Sequence, residues 1–420
     1  MENSTGFVYR GGSLFCEDVS LADLARDYGT PAYVYSQNAV TSRLRAYREA
    51  LAGVAHRICY AVKANSNLAL LQVLAQEGAG FDIVSGGELF RVLAAGADTS
   101  KVVFSGVGKT REEIRFALER GIHSFNCESE PELETLGVTA AELGVTASIA
   151  LRVNPDVDAS THPYISTGLK EHKFGIDIGE VERVYEQVRA HPNLVADGVS
   201  CHIGSQLLSI QPLLEAADKM LALVGRLRAK GFPIRHLDLG GGLGVPYRPS
   251  DTPSSIREFI RHLRHRIDSA GLEIMLEPGR SIAAEAGVLL ARVLFTKQNG
   301  NKTFVILDAG MNDLIRPTLY QAHHEIVPVV VRPGRTIVAD IVGPVCETGD
   351  FFARDREIPE PQPGDLVALR TAGAYGFVLA SNYNSRPRSC ELLVNAGAVH
   401  VARRRETYED LVRGEALQSS

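Results

Sequence analysis

The segment CYAVKANSN, residues 59–67, places a single lysine at the carboxyl end of a buried strand. The run from Ile58 to Val62 is rich in β-branched and aromatic residues, which is typical of a short buried strand. It ends at Lys63, and residues 64–67 then open a helix. Burial lowers the pKa of an ammonium group, and the neutral amine can attack an aldehyde and hold it as a Schiff base. Lys63 is therefore a candidate nucleophile; the alternative is a strand-end lysine whose ammonium group reaches water.

The composition limits the kind of protein that this chain can be. It has 420 residues, of which 45% are hydrophobic and 22% charged, as in an ordinary globular protein. A net charge of -6 argues against nucleic acids and anionic membranes as partners. No apolar run is long enough to cross a bilayer, the start does not resemble a signal peptide, and the six cysteines form no CxxC pair. We therefore expect a reduced, soluble, cytoplasmic protein without a metal site.

Outward from this segment, apolar runs alternate with amphipathic helical stretches. This alternation indicates parallel strands joined by crossover helices. Eight such units in about 250 residues match a closed (β/α)8 TIM barrel, which we predict for residues 36–290. An open doubly wound sheet is the alternative, but no G-x-G-x-x-G turn follows the first strand. The eight predicted strands are 57–62, 81–84, 102–105, 123–126, 148–153, 197–203, 235–239 and 273–277.

The remainder of the chain has a different pattern of predicted secondary structure. After about residue 295, short strand patterns follow one another at turn-length spacing, with prolines and glycines between them. This is typical of an all-β domain. The first 35 residues also contain short strand-like pieces. We predict one β-rich domain made of residues 1–35 and 291–420, which includes the N-terminal strand.

Residues that follow the barrel strands are the candidates for function, because the carboxyl ends of the strands meet at one mouth of the barrel. The sixth strand leads to His202 and Ser205. The seventh runs into GGGLG, residues 240–244, and the eighth into EPGR, residues 277–280. These two turns commonly bind phosphate in such barrels, since glycines let backbone N–H groups approach phosphate oxygens. The alternative for a glycine run is an ordinary turn.

An amine that forms Schiff bases, together with a phosphate site, predicts pyridoxal 5'-phosphate as the cofactor. This cofactor also needs a partner for its ring nitrogen. Glu277 ends the eighth strand beside the phosphate turn and suits this role, because a carboxylate keeps the nitrogen protonated. We expect His202 to lie against the ring face and Ser205 to bond the phosphate. The alternative for His202 is a histidine of the core.

Longer motifs identify a family. In chain order they are CYAVKANSN, GFDIVSGGEL, RVNPDVDASTHPYISTGLKEHKFGI, CHIGSQ, GGGLG, EPGRS, MNDLIRPTLY, GPVCETGD and GAYGFVLASNYNSRPR. Together, from about residue 7 to about residue 400, they resemble the diaminopimelate decarboxylases. These are fold-type III pyridoxal-phosphate enzymes related to ornithine decarboxylases. The resemblance implies an alanine racemase-like barrel with a C-terminal β domain.

The resemblance also implies roles for single residues. Lys63 would hold the cofactor covalently, Glu277 would bond its ring nitrogen and His202 would stack on the ring. The residues implied to lie near the cofactor's phosphate are Ser205, Gly241, Gly242, Gly279 and Arg280. Tyr375 would touch both cofactor and substrate.

For the substrate, the resemblance implies meso-2,6-diaminopimelate. Arg280, Arg316 and Tyr320 would hold its distal carboxylate, and Glu347 would receive its distal ammonium. Such charge pairing makes physical sense, because a buried charge left without a partner penalises simpler analogues. Cys346 would return a proton to Cα, as a thiol with a pKa of about 8.5 can near neutral pH.

The implied reaction is decarboxylation to L-lysine and CO2, the last step of lysine biosynthesis. The implied assembly is a homodimer with shared active sites, in which Cys346 and Glu347 reach the neighbouring subunit's barrel. The alternatives are a related decarboxylase of another basic amino acid or of a carboxylated polyamine, and a non-catalytic relative that binds the cofactor. A decarboxylase for a substrate without a distal carboxylate would not need the pair formed by Arg316 and Glu347.

Overall fold

The computed structural model describes residues 5–158 and 173–418. The chain forms two compact units. One, the barrel unit, comprises Thr41–Pro246 and Asp251–Ile282, and the other, the β unit, comprises Met1–Val40, Tyr247–Ser250 and Ala283–Ser420. No helix of the described residues has the length and apolar character needed to span a bilayer.

The strands are numbered in chain order. They are β1 Phe7–Arg10, β2 Ser13–Cys16, β3 Val19–Ser20, β4 Ala32–Ser36, β5 His56–Ala61, β6 Gly80–Ile83, β7 Val102–Phe104, β8 Ser124–Cys127, β9 Ala147–Asn154, β10 Ile176–Asp177, β11 Leu194–Cys201, β12 His236–Asp238, β13 Glu273–Leu276, β14 Gly287–Asn299, β15 Lys302–Leu307, β16 Ile326–Pro328, β17 Thr336–Val342, β18 Phe351–Pro359, β19 Leu366–Leu369, β20 Cys390–Asn395 and β21 Ala398–Arg403.

The helices are numbered in the same way. They are α1 Leu21–Tyr28, α2 Gln37–Ala50, α3 Leu68–Gln76, α4 Gly86–Ala94, α5 Arg111–Glu119, α6 Glu130–Leu143, α7 Val181–Val188, α8 Gln211–Ala229, α9 Ile256–Ile267, α10 Arg280–Ala283, α11 Arg316–Tyr320 and α12 Tyr408–Leu411.

Parallel strands of the described chain close the barrel in the order β5-β6-β7-β8-β9-β11-β12-β13, and β13 pairs back onto β5. All eight predicted barrel strands are confirmed, and the closed TIM barrel rather than the open sheet is the fold. Strands β6, β7 and β8 are buried along their whole length, as expected where helices cover a parallel sheet. The barrel therefore brings the carboxyl ends of its strands to one mouth.

The β unit joins the two ends of the chain. Its larger sheet has the order β18-β17-β15-β14-β4-β20-β21, and β19 adds to β14. Strand β4 lies between β14, to which it is antiparallel, and β20, to which it is parallel. Its five residues are all buried, which explains their apolar and aromatic character. An N-terminal strand thus lies inside the β-rich part of the chain, as the sequence predicts.

At the base of the barrel, two histidine rings lie against each other. The ring centroids of His123 and His236 are 5.6 Å apart, and both Nε2 atoms are buried without a hydrogen-bond partner among the described residues. The Asp197 carboxylate is 3.9 Å from His236 Nδ1. Burial nevertheless lowers the pKa of His236 from 6.5 to about 4, and it also lowers the pKa of His123. Both rings are therefore neutral at pH 7.

We expect this pair to make the fold sensitive to acid. Above pH 6.5 His236 is neutral in both the folded and the unfolded chain, so it contributes nothing to pH dependence. Between pH 6.5 and about 4 only the unfolded chain takes up the proton, so stability falls as the pH falls, by up to about 3 kcal/mol. Urea unfolding of the His236→Asn variant should show a smaller loss over this range. The exposed His265→Asn variant is the control, and equal pH dependence in all three proteins would contradict the prediction.

Candidate active site

Lys63 lies at the barrel mouth beside a buried carboxylate. Strand β5 ends at Ala61, two residues before the lysine, and Val62–Ala64 form one turn of 3-10 helix. The Asn67 side chain then accepts the backbone N–H of Ala69 and caps α3. Lys63 Nζ donates to Asp82 Oδ2 at 2.7 Å; the Asp82 side chain is fully buried, whereas that of Lys63 is 38% exposed. The amine is thus anchored to Asp82, on a side chain that remains partly exposed.

Glu277 follows β13 and is buried in the same unit. Its Oε1 accepts hydrogen bonds from the Ser105 hydroxyl at 3.3 Å and from Asn126 Nδ2 at 3.2 Å. Burial first, and then the charges of Asp238 and Asp82, raise the pKa of Glu277 well above its usual value, while the Lys63 ammonium opposes this shift. The carboxyl group is therefore ready to share a proton with a basic nitrogen.

Three residues that the sequence analysis did not identify surround Glu277. Asn126 Nδ2 also lies 3.1 Å from Asp238 Oδ2 and 3.1 Å from Ser105 Oγ. Asp238 Oδ1 accepts the backbone N–H of Gly240 at 2.9 Å, and burial raises the pKa of Asp238. Burial thus raises the pKa of both neighbouring carboxyl groups, Glu277 and Asp238. The one sequence signal for this network is that each member stands at the carboxyl end of a barrel strand.

The glycine turn after β12 leaves no room for side chains. A Cβ atom on Gly241 would lie 2.4 Å from the Glu277 carbonyl oxygen, and one on Gly242 would lie 2.7 Å from the Gly204 carbonyl oxygen. Gly242 also has a φ of +105°, which side-chain-bearing residues rarely adopt. Only glycine therefore fits at these two positions.

Two further predicted residues form a polar corner. The Ser205 hydroxyl accepts hydrogen bonds from Arg280 Nε at 3.2 Å and from Arg280 Nη2 at 3.1 Å. Arg280 is buried and follows Gly279, where a Cβ atom would lie 2.8 Å from that of Ala64. A buried guanidinium and a hydroxyl near a glycine turn are suitable ligands for a phosphate.

His202 lies next to the glycine turn. Its Nδ1 accepts the backbone N–H of Gly241 at 3.3 Å. Burial, followed by the charges of Arg152 and Lys63, lowers the pKa of His202 well below 6.5. The imidazole is therefore neutral, which suits a flat contact with an aromatic ring better than a hydrated cation would.

The other charged residues at this end of the barrel pair with each other. Lys109 is fully buried and donates to Glu132 Oε1 at 2.6 Å. Arg152 donates to Glu128 Oε1 at 2.8 Å and lies over the Phe174 ring, as Lys173 does. These residues are supports of the barrel mouth. Part of the motif that begins at Arg152, residues 159–172, lies outside the described residues.

Apart from Arg280, which lies in the barrel unit, the predicted substrate residues belong to the β unit. Arg316 begins α11, its Nη1 lies 2.9 Å from His324 Nε2, and its guanidinium lies 4.4 Å from the centre of the Tyr247 ring. Tyr320 ends the same helix. The sequence analysis did not identify His324 as a partner of Arg316.

Cys346 and Glu347 occupy the loop between β17 and β18. Cys346 is exposed, whereas the other five cysteines are buried. The Tyr383 hydroxyl lies 3.5 Å from Glu347 Oε2. The Thr318 hydroxyl, on α11, donates to the Gly349 carbonyl and joins the helix of Arg316 to the loop of Glu347. Tyr375, also in this unit, has a left-handed backbone with a φ of +55°.

The structure therefore gathers the predicted residues into two groups. The group in the barrel unit consists of Lys63, His202, Ser205, Gly241, Gly242, Glu277, Gly279 and Arg280. The group in the β unit consists of Arg316, Tyr320, Cys346, Glu347 and Tyr375. The barrel group contains an amine, a buried acid, a neutral imidazole and the polar corner formed by Ser205 and Arg280. This donor set fits pyridoxal 5'-phosphate.

Comparison with known proteins agrees with this chemistry. Residues 37–284 match the family model for the pyridoxal-binding domain of pyridoxal-dependent decarboxylases. The diaminopimelate decarboxylase of Pseudomonas aeruginosa is 57% identical over 98% of this chain and 99% of its own length. The crystal structure of the Helicobacter pylori diaminopimelate decarboxylase complexed with L-lysine has a TM-score of 0.90 and 43% identity, covering 93% of this chain and 98% of that chain. The M. jannaschii enzyme in complex with L-lysine has a TM-score of 0.93 and 37% identity, covering 98% of both chains.

The barrel and its site define a pyridoxal-phosphate-dependent decarboxylase. Within this class, the chain belongs to the diaminopimelate decarboxylase family, because it is 57% identical to one member over 98% of its own length.

Proposed function

We propose that this chain decarboxylates meso-2,6-diaminopimelate to L-lysine and CO2 with pyridoxal 5'-phosphate, as the last step of lysine biosynthesis. The observation that carries the choice of substrate is the 57% identity, over 98% of this chain, to the diaminopimelate decarboxylase of Pseudomonas aeruginosa. The β unit also supplies a cation, Arg316, and an anion, Glu347. Diaminopimelate, with a carboxylate and an ammonium at its far end, needs both.

The barrel residues hold the cofactor. Lys63 attaches to its aldehyde, and Ser205, Arg280 and the glycines at 241 and 242 bind its phosphate. The neutral ring of His202 covers one face. The cofactor, when bound, supplies an electron sink for the pair of electrons left at Cα after CO2 departs. Glu277 keeps a proton at the ring nitrogen, which a carboxyl group with a raised pKa can share.

The β-unit residues act on the substrate. Arg316, Tyr320 and Arg280 bind the distal carboxylate, Glu347 binds the distal ammonium, and Tyr375 contacts the substrate. Cys346 delivers a proton to Cα, which its exposed thiol allows. We further propose that the active enzyme is a homodimer in which Cys346 and Glu347 serve the neighbouring subunit's barrel. The six free cysteines support a reducing, cytoplasmic location.

An assay of four substrates tests this function. The purified protein with its cofactor should release CO2 and L-lysine from meso-diaminopimelate. It should prefer this substrate to ornithine, arginine or a carboxylated polyamine by about 10⁴-fold in kcat/KM, because these compounds leave the distal site's charges without a partner. Comparable turnover of ornithine would indicate the related decarboxylase instead. The absence of any turnover in a cofactor-loaded protein would indicate the non-catalytic relative.

A further inference from the structure

The backbone amides of Val345 and Cys346 are each held by a side chain of the β unit. The N–H of Val345 donates to Asp350 Oδ2 at 2.6 Å, and Asp350 is buried and also accepts the N–H of Met311. The next amide, that of Cys346 itself, donates to Asn384 Oδ1 at 2.8 Å. Two consecutive amides are therefore fixed by two different acceptors, and only the second one is on the cysteine.

Asn384 has a backbone conformation that favours its residue type. It lies in the turn Tyr383–Ser385 with a φ of +57° and a ψ of 28°, in the left-handed region that asparagine tolerates better than most residues. The segment around it is anchored, because the Ser381 N–H donates to the Asn312 carbonyl at 2.8 Å and Arg386 Nη2 donates to the Asp308 carbonyl at 2.8 Å. The amide oxygen of Asn384 is thus presented from a fixed support.

The neighbouring asparagine has a different task. The side-chain amide of Asn382 donates to the Arg386 carbonyl at 3.0 Å and to Glu406 Oε2 at 2.7 Å. These bonds join the turn to the rest of the β unit, and neither of them involves Cys346. The chain therefore separates two functions that one asparagine could have combined: Asn382 holds the turn, and Asn384 reaches the cysteine.

We propose that Asn384 is the positioning residue for the Cys346 thiol. It fixes the backbone of the cysteine so that the thiol stays where a proton must be delivered. This inference rests on the proposed function, in which Cys346 protonates Cα. A displacement of about 1 Å of a reacting group can cost about 10²-fold in rate, so a single hydrogen bond to the backbone of the donor is sufficient to matter.

The test is the Asn384→Gly variant of the cofactor-loaded enzyme. Glycine adopts the left-handed conformation readily, so the turn is kept while the acceptor is lost. We expect kcat to fall by about 10- to 100-fold while KM changes little. We also expect iodoacetamide to alkylate Cys346, which is exposed, several-fold faster, because the released loop lets the thiol adopt more of the orientations that the reagent can attack. Peptide mass spectrometry measures this directly, since the other five cysteines are buried.

Two variants complete the experiment. Asn382→Ala removes side-chain bonds of the same turn but keeps the Asn384 acceptor, and the bonds from Ser381 and Arg386 still anchor the segment. It should therefore leave both kcat and the alkylation rate near those of the wild type. If it reproduces the effects of Asn384→Gly, or if Asn384→Gly changes neither quantity, the inference is wrong. Cys346→Ala tests the underlying function: unchanged kcat there removes the thiol from the reaction and the inference with it. A slow Cys346→Ala enzyme combined with a normal Asn384→Gly enzyme removes the inference alone.

Discussion

Replacing Lys63 by alanine is expected to abolish both covalent attachment of the cofactor and decarboxylase activity. Removal of a covalent nucleophile lowers turnover by a factor on the order of 10⁴ or more. The change also leaves Asp82, whose side chain is fully buried, without the ammonium 2.7 Å away. We expect the variant to lose the cofactor's absorbance near the visible edge. It should also lose the adduct that borohydride reduction leaves on the peptide containing Lys63.

A second substitution separates the charge of Lys63 from its nucleophilicity. Lys63→Arg keeps a cation beside Asp82, but a guanidinium remains protonated at neutral pH and does not attack an aldehyde. The variant should therefore be as inactive as Lys63→Ala while melting closer to the wild type. Full activity with an unmodified residue 63 would refute the role of this lysine.

The strand-end residues could be predicted from the sequence for a clear physical reason. Apolar runs that alternate with amphipathic helical stretches identified the barrel strands. In a parallel barrel every strand ends at the same mouth. The positions of Lys63, His202 and Glu277 at three of these strand ends follow from that geometry. The strands could be predicted without knowledge of tertiary contacts, because a short strand that is buried on both faces is apolar along nearly its whole length.

The partners of these residues could not be predicted in this way. Asn126 contacts Glu277 across 151 positions of sequence, and Cys346 contacts Asn384 across 38. No local sequence pattern predicts such a hydrogen bond, since the same asparagine would be equally compatible with a solvent-exposed turn. The place of β4 between β14 and β20 also depends on tertiary structure, because β4, the first part of β14 and most of β20 are buried runs that could pair in several orders.

The Glu277→Gln variant should combine a large loss of activity with a gain in stability. Glutamine has the shape of a protonated glutamic acid, so it can accept from Asn126 and Ser105 and donate to Asp238. It cannot carry the negative charge that keeps a ring nitrogen protonated. We expect kcat to fall by about 10²- to 10³-fold, the usual cost of one electrostatic partner in an active site. Borohydride should still trap the cofactor on Lys63, which distinguishes this variant from Lys63→Ala.

The stability of the cofactor-free protein follows from the sign of the pKa shift. An ordinary glutamate loses its proton near pH 4.5, but burial and Asp238 raise the pKa of Glu277 well above this value in the folded chain. As the pH rises above 4.5, the unfolded chain therefore releases the proton more readily, and Glu277 destabilises the fold increasingly. Glutamine has no such penalty. The melting temperature of the Glu277→Gln variant should exceed that of the wild type at pH 8, and the difference should vanish towards pH 4.5.

Glu128→Gln is the matched control for this prediction. Glu128 is also a buried glutamate of the barrel mouth, but it pairs with Arg152 at 2.8 Å and accepts the N–H groups of Gly106 and Gly175. Loss of its charge leaves a guanidinium without its partner, so this variant should melt below the wild type at pH 8. If both variants lose stability, the buried Glu277 carboxyl does not destabilise the folded chain, and the prediction is wrong. The opposite signs would show that the protein keeps a destabilising acid at the one position where the proposed chemistry requires it.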